Sequence, residues 1–155
     1  FWEKGGGIMT KPVLRSLRHY TRWGVFLHTE QYFLGRSYVW RLQGGKIDLL
    51  DLPPRELDEL LVALQDVRRA FTRAFNHHGE SDGEDLVNYA WLCNHENHGH
   101  HGHMHVITRY RKSRKFAGRV FQDGLWGQNY APYPKQTLPV EVLDEIAEAM
   151  RHALL

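Results

Sequence analysis

Residues 101–110 read HGHMHVITRY, and the alternation in this stretch decides how the chain is to be understood. In an extended strand successive side chains point to opposite faces, so His101, His103 and His105 project from one face while Gly102, Met104 and Val106 project from the other. Same-face neighbours stand about 6.5–7 Å apart along a strand, a span that suits one phosphate group and its flanks. A neutral imidazole is a nucleophile near pH 7, and a second imidazole in its protonated form can stabilise phosphate charge or protonate a leaving oxygen. Met104, Val106 and Ile107 supply an apolar backing that would hold such a strand rigidly against a core.

Outward from this strand, residues 86–91 (LVNYAW) form a second expected strand, joined to the first by the polar stretch 93–100. So short a connection implies an antiparallel pair, because a parallel crossover needs a dozen or more residues. Earlier, residues 23–29 (WGVFLHT) and 37–42 (SYVWRL) are rich in aromatic and β-branched types, with Gly35 placed for a turn between them. The segment from Leu52 to Phe75 carries Leu57, Leu60, Leu61, Leu64, Val67, Phe71, Ala74 and Phe75 at three- and four-residue steps, which predicts a helix. Asp51 is its expected cap, and Pro53 and Pro54 suit a first turn, where their missing amide donors would be unpaired anyway. Residues 76–85 (NHHGESDGED) should be a loop, and residues 111–138, with several glycines and prolines among aromatics, an extended one. Leu143, Ile146, Ala147, Met150 and Leu154 share one face of a closing helix. The expectation is an α+β domain with an antiparallel sheet of about five strands and two main helices. Residues 1–12, with Gly5, Gly6 and Gly7 and little apolar periodicity, read as a flexible tail before a single domain at 13–155.

The bulk properties are those of an ordinary globular protein. The chain has 155 residues, 42% of them hydrophobic and 25% charged, enough for one core and too few for two sizeable ones. No apolar run approaches the length of a membrane span, the first residues lack the apolar segment of a signal peptide, and the single cysteine, Cys93, forms no internal disulfide; a cytoplasmic location is expected. A net charge of +2 is mild and by itself gives no argument for a dedicated nucleic-acid binder, and nucleic acid is not the expected partner. The local run Arg109, Arg111, Lys112, Arg114 and Lys115 still puts positive charge beside the histidines, although such a run is more often a solvated surface. Asp48, Asp51, Asp58 and Glu59 read likewise as helix-start charges and a solvated face.

Six of the eleven histidines lie between 95 and 105, and two other readings compete for them. Histidines at alternate strand positions can ligate zinc with an open water position, which would make a zinc-dependent hydrolase; Glu96 is the one acidic candidate within the run. A His-rich polar loop is the other reading, and it suits His95, His98 and His100 better than the strictly alternating triad. A non-catalytic nucleotide- or RNA-binding module would be a further alternative function.

At these residues the chain resembles the histidine triad family of nucleotide hydrolases and transferases, whose signature alternates three histidines with apolar residues and ends in an apolar pair. Gly102 departs from it, since the family prefers a larger apolar residue there, and glycine is expected to loosen the strand. Residues 87–94 (VNYAWLCN), 105–110 (HVITRY) and 31–39 (QYFLGRSYV) are similar to family segments, with Cys93 in place of Gly and Thr108 in place of Pro. Residues 116–127 (FAGRVFQDGLWG) look like the tail of the subgroup related to diadenosine polyphosphate hydrolases. The likeness runs from near residue 28 to the last helix.

The resemblance implies a phosphoester, phosphoanhydride or phosphoramidate hydrolase, or a nucleotidyl transferase. His103 would be the nucleophile that takes the nucleotidyl group, His105 would contact the transferred phosphate or the leaving oxygen, and His101 would orient the nucleophile and its strand. Asn88, Asn94 and Asn97 would face the phosphates or support the loop around them, turn and strand-end hydrogen bonding being the other reading of these side chains. It implies a nucleotide as small-molecule partner, no required cofactor or divalent metal, and a homodimer in which one subunit's sheet continues into the other's. A further family histidine is expected after the second strand, where Gln43, Gly44 or Gly45 stands here.

Overall fold

Five extended segments pair into a single antiparallel sheet, each turning at least one apolar side chain toward the core. They are β1 (Arg15–His19), β2 (Trp23–Leu27), β3 (Ser37–Arg41), β4 (Leu86–Leu92) and β5 (His103–Arg109), in spatial order β1-β2-β3-β5-β4. The structure, a computed structural model, describes residues 14–43, 48–76, 85–93 and 102–155. The expected tail, the interior of the 76–85 loop, His95, His98, His100, His101, Asn94, Asn97, Gly44 and Gly45 lie outside the described residues.

The cross-strand partners set the two faces. Val39 pairs with Met104 and Val25 with Val39, and these side chains lie in the main core. Against them pack α1 (Pro54–Phe75) and α2 (Val140–Ala153), which also touch each other. Leu60, Ala63, Leu64, Val67, Ala70, Phe71, Ala74 and Phe75 bury the α1 stripe; Val142, Leu143, Ile146, Ala147 and Met150 bury that of α2. Leu57 and Leu61, expected on that stripe, remain exposed, because the first buried positions are Glu56 and Leu60. No described helix is long and apolar enough to cross a membrane.

Several local expectations are corrected. Pro53 is the α1 N-cap and makes no side-chain cap bond, while Asp48 caps a short 3-10 turn (Leu49–Asp51) by accepting from the Leu50 amide at 2.9 Å. Glu59 is no merely solvated charge: its carboxylate accepts from the backbone amides of Thr21 and Arg22, at 3.2 and 2.6 Å, and so holds the β1–β2 turn to α1. The segment expected as one extended loop contains a two-stranded ribbon, β6 (Arg114–Phe116) and β7 (Arg119–Phe121), turned through Ala117 and Gly118, which both have positive φ. β1 went unread because Leu17 is its one strongly apolar side chain, a pattern that suits an edge strand.

The basic run is also divided by the fold. Arg111, Lys112 and Lys115 are exposed, but Arg109 and Arg114 are buried. Arg109 Nε donates to Asp123 at 2.6 Å, and Arg114 donates to both carboxylate oxygens of Asp85 at 2.7 and 2.8 Å. Two members of an apparent surface patch are therefore internal ion pairs that fasten the ribbon and the loop after it.

Candidate functional site

β5 runs between β3 and β4, so its histidine face is flanked on both sides. Tyr38 pairs with His105 and Trp40 with His103 from β3; Ala90 and Leu92 oppose the same two histidines from β4. The alternation read from 101–110 is thereby realised for His103 and His105, whose ring centroids stand 5.1 Å apart. Both are buried, at 9% and 8% exposure. Met104, Val106 and Tyr110 face the opposite way, into the core.

The wall around the two imidazoles is aromatic. Tyr38 meets His105 edge-on at 4.7 Å and His103 at 6.0 Å, and Trp40 meets His103 at 5.9 Å. His28, just beyond the end of β2, lies 4.4 Å from the Tyr38 ring and 5.8 Å from His105. Quadrupolar edge-to-face contacts of this kind fix ring orientation as well as burying area.

Arg36 closes the group. It leads into β3 and shares the parity of Tyr38 and Trp40, and its Nη2 donates to Nδ1 of His105 at 3.3 Å. Since a guanidinium has donors alone, His105 Nδ1 must be the acceptor, which leaves its proton on Nε2. His28 is held in the same tautomer, its Nδ1 accepting from the Glu30 amide at 2.9 Å. Burial first, and then the Arg36 charge, push the His105 pKa well below neutral, to about 3, and the same two causes lower His28 to about 2. His105 is accordingly neutral in the free protein. The positive charge expected from a second, protonated imidazole is carried beside it by Arg36.

The turn that delivers Arg36 is built by a few specific bonds. The Gln31 amide donates to the carbonyls of His28 and Arg36, at 2.6 and 2.9 Å, and its oxygen accepts from Gly35 N at 2.8 Å. Gly35 has φ +82°, a left-handed conformation that favours glycine, and an added Cβ would also press on Phe71 and Phe75. Thr108 donates its hydroxyl to Leu34 O at 2.6 Å, and Tyr110 Oη accepts from Leu34 N at 3.2 Å. The threonine that replaces a proline of the resembling families thus ties β5 to this turn.

Gly102, just before β5, leaves room for a neighbouring side chain. A Cβ built there would lie 2.3 Å from Cζ2 and 2.6 Å from Cη2 of Trp91, so the indole fills the space that a larger residue would take. Asn88 lies on the histidine face opposite Ile107, is exposed, and accepts from Arg109 Nη1 at 3.3 Å. His101, Asn94 and Asn97 lie outside the described residues. Among the described residues no group of three or more His, Cys, Asp or Glu side chains is arranged to hold a metal ion.

His28, Arg36, Tyr38 and Trp40 were not singled out from the sequence. A signal was present: Gly24-Phe26-His28 and Arg36-Tyr38-Trp40 keep the same two-residue period as the histidines. What it lacked was the register that brings those positions opposite His103 and His105.

No family model and no curated protein sequence matches the chain. Solved structures do. A histidine triad protein from Bradyrhizobium japonicum superposes with a TM-score of 0.62 at 15% identity, over 92% of this chain and 91% of that one. A Hit-like protein from Bartonella henselae, described as involved in cell-cycle regulation, gives 0.59 at 19% identity over 90% and 86%. A zinc-bound histidine triad family protein from Mycobacterium smegmatis gives 0.54 at 19% identity over 91% and 84%. The chain shares the fold of these proteins.

Proposed function

We propose that the chain is a nucleotide hydrolase or nucleotidyl transferase that acts through a covalent intermediate on His103, with dinucleoside polyphosphates among its substrates. The observation that carries this reading is the pair of buried imidazoles, 5.1 Å apart on one rigid strand face within a fold shared with histidine triad proteins. In the first step a ring nitrogen of His103 attacks the phosphorus bearing the nucleoside. A phosphorus–nitrogen bond forms, and the bond to the leaving oxygen or nitrogen breaks with its electron pair going to the leaving group. In the second step water attacks the same phosphorus, loses a proton, and returns the electron pair to His103. Splitting one hard displacement into two is the benefit of the intermediate.

In this reading His105 offers its Nε2–H to the transferred phosphate or the leaving atom, and His101 orients the nucleophile. Asn88, Asn94 and Asn97 are assigned to the phosphates. No metal is needed to generate the nucleophile, so a chelator leaves turnover unchanged; loss on chelation would favour a zinc hydrolase using the same histidines. A homodimer belongs to the same reading. It is supported by β4, the outermost strand among the described residues, whose Leu86, Tyr89 and Leu92 are exposed and whose outer edge pairs with no described strand. The cytoplasm is its proposed location.

The test is direct. Incubation with a dinucleoside polyphosphate and rapid acid quench should yield a nucleotide adduct on His103 by mass spectrometry, and His103→Ala should lower turnover by about a hundredfold or more. A protein that binds nucleotide but never forms the adduct is a binding module. Turnover surviving in His103→Ala on every nucleotide tried would remove the mechanism.

A further inference from the structure

Arg36 is out of place for an ordinary structural arginine. It is 5% exposed, and it forms no ion pair with a carboxylate among the described residues. The contrast with its neighbours is sharp, since the buried Arg109 and Arg114 each face an aspartate. Arg36 instead donates to the Tyr133 hydroxyl and to a neutral imidazole, lies 4.9 Å from the Tyr133 ring, and leaves a buried Nε with no hydrogen-bond partner. A buried guanidinium without a counter-charge is costly, and the cost is sustained where an anion is to be received. The same side chain points its Nη2 at His105, so any anion docked there meets the histidine face.

We infer that Arg36 is the anion-binding cation of this site: the phosphoryl group of the substrate docks on its guanidinium while Arg36 locks His105 as the Nε2–H donor. The inference rests on the phosphoryl-transfer reading above and names the charge which that reading lacks, since the described imidazole beside His103 is neutral. It also sets a class preference. Planar guanidinium donors match the paired oxygens of a phosphate or phosphonate, so a substrate must present a charged, unesterified pair of oxygens on the reacting phosphorus. Tyr133 contacts Arg36 through both its hydroxyl and its ring, and the segment that carries it is tied back to the turn by the Gln136 backbone amide donating to Glu30 Oε2 at 3.1 Å. Arg36 is therefore pre-positioned before any ligand arrives.

The probe is inorganic phosphate, titrated at neutral pH and constant ionic strength into 15N-labelled protein. Saturable binding should shift the Arg36 Nε–H and the His105 ring nitrogens together. Before addition, His105 should show an unprotonated Nδ1 and a protonated Nε2. Arg36→Gln should weaken phosphate binding at least tenfold and release the His105 tautomer preference, and Arg36→Lys should recover part of the affinity without the tautomer lock. Absence of saturable phosphate binding, shifts of the histidines that leave Arg36 Nε–H unmoved, or a folded Arg36→Gln that binds within twofold of the parent would each overturn the inference. The Nε–H reading uses the unmodified protein, so it stands even if Arg36→Gln does not fold. If phosphate binds through Arg36 but no adduct forms on His103, the proposed reaction fails and this assignment survives; an adduct formed normally in Arg36→Gln has the opposite meaning.

Discussion

Replacing Gly102 by alanine probes the packing that keeps β5 in register. The added Cβ would meet the Trp91 ring at 2.3 and 2.6 Å, well inside contact distance. Trp91 cannot simply swing away, because it packs edge-on against the fully buried Trp23, with centroids 6.0 Å apart. Overpacking of this kind costs about 1–3 kcal/mol. Removing a glycine from the unfolded chain offsets about 0.4–1 kcal/mol of that. A net loss of about 1–2 kcal/mol is expected, or about 2–8 °C in Tm for a chain of this size. The assay is thermal and urea unfolding of a double-mutant cycle with Trp91→Leu. In the Trp91→Leu background the Gly102→Ala change should become neutral or mildly stabilising, giving a coupling of about 1 kcal/mol or more. Equal effects in both backgrounds, or no loss in the parent, would refute the argument that Gly102 exists to seat the indole.

Two further outcomes follow from the same contacts. Thr108→Val keeps the shape but removes the 2.6 Å bond to Leu34 O, leaving a buried carbonyl short of a donor; urea unfolding should show a loss of about 1–2 kcal/mol. Acid should weaken the fold before its carboxylates titrate. His28 and His105 have folded pKa values lowered to about 2 and 3, whereas an unfolded histidine titrates near about 6.5, so the unfolded state binds more protons below that pH. Stability contributed by these neutral imidazoles is therefore complete above about pH 6.5 and falls as pH drops towards about 3. Each contributes a slope of up to about 1.4 kcal/mol per pH unit. Urea unfolding between pH 5 and 6.5 measures the slope, and His105→Gln should reduce it by about one proton.

Much of this molecule was legible in one dimension. The two-residue period of 101–110 identified the histidine face without any structure, since side-chain direction along a strand is a local property of the backbone. The three- and four-residue steps within 52–75 and from Leu143 to Leu154 did the same for the helices, which the fold places at Pro54–Phe75 and Val140–Ala153, and the short connection before His103 pointed to the antiparallel pairing of β4 and β5. The α+β architecture follows from those patterns.

Tertiary structure decided the chemistry of the site. Nothing local says that Arg36 comes within 3.3 Å of His105, that Tyr38 and Trp40 wall the imidazoles, or that Trp91 occupies the space above Gly102. Nor does a run of basic residues disclose that Arg109 and Arg114 are buried on aspartates while Arg111 and Lys112 face water. The physical reason is common to all of these. Periodicity tells which way a side chain points, but its partner depends on strand register and on how distant segments fold over the sheet. The charge, tautomer and solvation of an imidazole depend in turn on that partner.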